Sequence, residues 1–63
     1  MKTQTTYEQA WEEIFAELPA ATRELLKASP DGRASARMAN AADDLAMGNV
    51  TLRMAVKMTL GTA

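Results

Sequence analysis

The sequence predicts a compact all-α domain, a bundle of three to four short helices that is expected to dimerise. Three observations lead there. Apolar residues recur at spacings of three and four through residues 7–18. Two proline-bearing breaks, at Leu18-Pro19 and at Ser29-Pro30-Asp31-Gly32, cut the chain into pieces of helix length. Between the breaks, alanine and other strong helix formers dominate.

At 63 residues the chain has room for one core. A domain this small buries only about 60% of the surface its unfolded chain exposes. Chains below roughly 70–80 residues usually need a disulfide, a metal or a partner chain. With no cysteine and no histidine, disulfides, thiolate sites and imidazole-held metals are excluded. No cofactor is expected, and a protein partner is the staple left.

Residues 1–6 are expected to be a flexible N-terminal arm, and residues 7–63 a single helical domain. Thr5 with Glu8, and Thr6 with Gln9, each match a capping box at the start of the first helix. Tyr7, Ala10, Trp11, Ile14, Phe15 and Leu18 then form its apolar face. Glu8, Glu12, Glu13 and Glu17 lie mostly off that face. The aromatic trio reads as a core stripe, with the polar tips of Tyr7 and Trp11 at its edge.

Pro19 ends this helix or opens a second one. Residues 20–28 favour helix, with a narrow stripe of Leu18, Ala21, Leu25 and Ala28 and with Leu26 beside it. The two helices are either one kinked rod or a pair with a corner at Leu18-Pro19. Ser29-Pro30-Asp31-Gly32 fits a type I turn, or a helix start with Ser29 as N-cap. A third helix follows from about Arg33 to Met47, with the stripe Ala34, Met38, Ala41, Ala42 and Leu45. Gly48 suits its C-terminal cap, and Asn49 could cap what comes next.

The last segment is ambiguous. Val50, Leu52, Met54, Val56, Met58 and Leu60 alternate with Thr51, Arg53, Ala55, Lys57 and Thr59. Alternation is a strand signal, but no second strand candidate exists to pair with, so helix is preferred. The strand alternative would have to pair across a dimer. As a helix the segment is apolar over more than half its circumference. Either way it carries more apolar surface than three short helices can cover, so these six residues are the expected protein interface. Met38, Met47, Met54 and Met58 read first as core and second as an adaptable binding surface.

Catalysis is not expected. No imidazole or thiol is available, and the adjacent carboxylates Glu12-Glu13 and Asp43-Asp44 point about 100° apart on a helix. Net charge is −1, but residues 1–24 carry −3 and residues 25–63 carry +2. That split would suit head-to-tail contact between copies. The expected function is a non-catalytic protein-interaction module: a small inhibitor or adaptor acting on a larger protein of unknown identity. Cysteine-free chains of this size are common among phage- and plasmid-borne accessory proteins. The alternative is a helix-turn-helix DNA-binding regulator, with Arg33, Arg37 and Asn40 on a recognition helix. The acidic balance and Asp43-Asp44 weigh against nucleic acid. The polar N-terminus and the lack of any long apolar run predict a cytoplasmic protein with no membrane partner.

Overall fold

A computed structural model describes residues 6–61. Four helices follow in order: α1 (Tyr7–Glu17), α2 (Ala20–Ala28), α3 (Arg33–Met47) and α4 (Leu52–Leu60). No strand occurs among the described residues, so the strand alternative for the last segment is not adopted. The expected arm lies outside the described residues, except for Thr6.

Thr6 is the N-cap of α1. The Gln9 N–H donates to Thr6 Oγ1 (3.1 Å), and the Thr6 N–H donates to Gln9 Oε1 (3.3 Å). Of the two capping boxes in the sequence, the second is therefore the one formed, and it satisfies two donors that a helix start leaves orphaned. Ala10, Ile14 and Leu18 are the buried edge of the helical stripe. Pro19, in extended backbone, turns the chain into α2, so α1 and α2 are a pair with a corner and not one kinked rod.

At Ser29–Gly32 the Gly32 N–H donates to the Ser29 carbonyl (3.0 Å), the bond of a β-turn. Gly32, not Ser29, is the N-cap residue of α3. Helix α3 is the spine of the molecule, packing on α4 along one flank and on α1 along another. Ala34, Met38, Ala41 and Ala42 are its buried edge. It ends at Gly48, whose φ of 81° lies in the left-handed region. There the Asn49 N–H reaches back to the Asp44 carbonyl at 2.8 Å, closing a Schellman-type cap.

Helix α4 begins two residues later than the alternation suggests. Thr51, not Asn49, caps it, accepting from the Met54 N–H at 3.2 Å. Its deepest side chains are Ala55 and Thr59, both fully buried, and neither belongs to the alternating apolar set. The Thr59 hydroxyl donates to the Ala55 carbonyl one turn back (3.0 Å), so its burial leaves no polar atom unpaired. Small side chains here let α4 lie close against the alanine-rich edge of α3.

Helix α2 is the outlier. It packs weakly on α3 and buries only Leu26. The expected stripe of Ala21, Leu25 and Ala28 faces solvent, with Leu25 54% exposed. The helix is hinged between two prolines, and one leucine holds it to the body.

Candidate functional site

The sequence-predicted interface divides once folded. Val50, Leu52, Val56, Met58 and Leu60 are half-buried and packed against the core, while Met54 is 49% exposed. The chain thus covers much of this segment itself. What remains outward on α4 is a strip with Met54 and Arg53, bordered by a shallow depression of Leu52, Val56 and Glu17.

The alternative nucleic-acid residues do not act as one set. Arg33 and Asn40 are exposed. Arg37 is also exposed, yet its Nε donates to the Thr59 carbonyl at 3.0 Å. That bond satisfies a carbonyl at the C-terminal end of α4 and places a cation where the helix dipole favours one. It gives Arg37 a role within the fold. Glu12, Glu13 and Asp43 are exposed and Asp44 is half-buried. Among the described residues no group of three or more acidic side chains is gathered as metal ligands would be.

The best-formed concavity lies elsewhere, between α1, the C-terminal half of α2 and α3. Its floor and walls are Tyr7, Trp11 and Phe15 from α1, Leu26 from α2 and Met38 from α3, and it encloses about 420 Å³. Trp11 and Phe15, four apart, stack with ring centroids at 5.0 Å and planes 12° apart. Met38, which lines the same hollow, is fully buried, and Trp11 and Phe15 are half-buried and packed against the core to which it belongs. Tyr7 is 44% exposed at the rim. Among the described residues the Trp11 indole N–H makes no hydrogen bond and is not sealed from solvent.

The groove exists because α2 stands off. Leu26 is the residue of α2 buried against the body, while Ala21 and Leu25 on the same helix face outward, so α2 adds little cover to the half-buried Trp11 and Phe15. Beyond Leu26 the wall continues through Pro30 to Ser35 and Ala39 on α3. The side of the groove along α1 runs past Glu8 and Glu12, which share a shallow surface with Tyr7 and Trp11. Such a hollow falls in the volume range of ligand sites. It is open, and among the described residues Lys27 is the charged group that lines it.

Tyr7, Trp11 and Phe15 are legible as one face, and the core-stripe reading holds in part: Trp11 and Phe15 are half-buried and packed against the core, while Tyr7 is exposed at its edge. Leu26, Met38 and Ala39 were not legible as their neighbours. The available signal was that the chain's three aromatic residues all sit on that one helical face. Comparison with protein-family models, curated proteins and solved structures finds no match for this chain.

Proposed function

We propose that this protein is a non-catalytic interaction module, a small adaptor or inhibitor that binds a larger protein through the Trp11 groove. The observation that carries the reading is a stacked Trp11–Phe15 pair at the floor of an open hollow. Buried aromatic anchors in pockets supply most of the binding energy of protein interfaces, and a rigid stacked pair loses little conformational freedom when covered.

Self-association through the outward strip of α4 is part of the proposal. Met54 is its apolar contact and Arg53 its charge, and a symmetric pair would bury both copies of the strip. The DNA-binding reading draws less support, because Arg37 is engaged at the end of α4.

Affinity capture from an extract of the source cell tests the reading, with wild-type protein compared with Tyr7→Ala and Trp11→Ala. Tyr7→Ala trims an exposed side chain and should leave the helical circular dichroism intact. The expected result is a specific co-purifying protein whose recovery falls with either substitution. A capture profile indifferent to both would remove the groove from the function.

A further inference from the structure

We infer that the groove receives a cationic amphipathic helix from the partner protein, a reading that rests on the interaction role proposed above. The inference comes from how charge and size are distributed around the aromatic floor.

The four carboxylates of α1 fall on two sides of its buried edge. At about 100° per residue, Glu8 and Glu12 follow Trp11 and Phe15 around the helix and flank the groove. Glu13 and Glu17 lie on the other side, where Glu17 borders Leu52 and Val56 of α4. At the far end of the groove, Asp31 lies on a surface continuous with it through Pro30 and Ser35. Among the described residues the cation lining the groove is Lys27, and its Nζ lies 3.6 Å from Glu24 Oε2, which offsets part of its charge. Counted over the described residues, Glu8, Glu12 and Asp31 against Lys27, the surroundings of the groove are net acidic around an apolar floor.

A segment that fits must present apolar side chains inward and cations at its edges. A basic guanidinium or ammonium at the solvent-reached part of Trp11, which borders Glu8 and Glu12, would gain cation–π attraction as well. The α3 wall favours a helix as the form of that segment. Ser35, Ala36 and Ala39 are small and share one surface, so a partner helix can approach closely. An amphipathic helix laid into a groove is a recurring recognition mode, read out by anchors three and four residues apart.

Trp11 is the chain's single tryptophan, so its emission reports the groove directly. The test titrates the full chain with a synthetic peptide of about 14 residues, four turns, built from Leu and Lys in amphipathic order. The same peptide with Glu in place of Lys is the comparison. The Lys peptide should shift Trp11 emission to the blue and saturate, with the Glu peptide roughly tenfold weaker. Glu8→Gln with Glu12→Gln should weaken the Lys peptide roughly fivefold and flatten its salt dependence. Glu13→Gln with Glu17→Gln makes the same change in net charge and should alter affinity less than about twofold.

Equal effects of the two double variants would overturn the inference, since only net charge would then matter. Equal or better binding of the Glu peptide, with Trp11 still responding, would refute the cationic partner while leaving the groove a docking site. No response of Trp11 to either peptide would sink both. Two other occupants are distinguishable. Emission that moves with the protein's own concentration, and stops doing so on Arg53→Glu, would assign the groove to a second copy. Emission of the free chain that turns red when residues 2–5 are removed would assign it to the chain's own N-terminus. Either result overturns the inference.

Discussion

Single residues set the ends of these helices, and two of them make sharp predictions. Gly48 has φ of 81°, and a Cβ placed there would meet nothing within 4 Å. The cost of Gly48→Ala is therefore conformational alone, about 1 kcal/mol. Gly48→Asn should cost less, because asparagine tolerates the left-handed region. Urea denaturation of the two variants checks the order, and an alanine variant as stable as wild type would contradict the cap. Arg37 is the second case. Its bond to the Thr59 carbonyl joins α3 to the end of α4 across 22 positions of sequence. Arg37→Ala should lower stability by about 1 kcal/mol, with faster amide exchange in the last turn of α4. The arginine was visible in the sequence as a candidate base reader. Its partner was not, because a backbone carbonyl carries no sequence signal.

At the scale of elements, local chemistry accounts for most of what was legible. The spans of α2 and α3 follow from prolines, glycines and alanine content, all of which act within a few residues. The faces were harder to read. In α4, size misled: the large alternating residues stay half-buried or, at Met54, exposed, and Ala55 and Thr59 go inside because two helices in close contact leave room for little else. In α2 the expected stripe faces outward for a different reason. Its orientation is set by the corner at Pro19 and the turn at Ser29–Gly32, not by its own apolar content. One buried leucine holds it, so α2 should open independently of the body. Its amides should exchange faster than those of α3 in hydrogen–deuterium exchange. Leu26→Ala should accelerate α2 further while leaving the middle of α3 protected. Uniform protection across both helices would show that α2 is part of the cooperative core.

For the whole molecule the question is how so small a chain stays folded. Among the described residues, five of the nine buried apolar side chains are alanines, and Ile14 and Met38 are the large apolar side chains that are fully buried. Such a core offers little area per residue, and the lone chain should be marginal. Met38→Ala would open a cavity in its centre and cost about 2–5 kcal/mol, enough to unfold much of the population at room temperature. If the outward strip of α4 supports a dimer, the melting temperature should rise with protein concentration. Met54→Glu should remove that dependence, and light scattering should then report a single chain. A melting temperature independent of concentration in the wild-type protein would leave the strip without this role.

Helix over strand after Asn49, and the N-caps Gly32 and Thr51, came only with the structure. The sequence by itself determined that residues 7–47 are helical, where those helices break and that Gly48 ends the third. These depend on backbone propensity and on hydrogen bonds between near neighbours. It also showed that no imidazole or thiol chemistry is available. Only the tertiary structure decided that α2 packs weakly, that small residues lie buried where α3 and α4 meet, and that Trp11 and Phe15, packed against the core, also line an open hollow. Those outcomes depend on how helices are angled against one another. That angle is a compromise among all the side chains at once, and no local pattern encodes it.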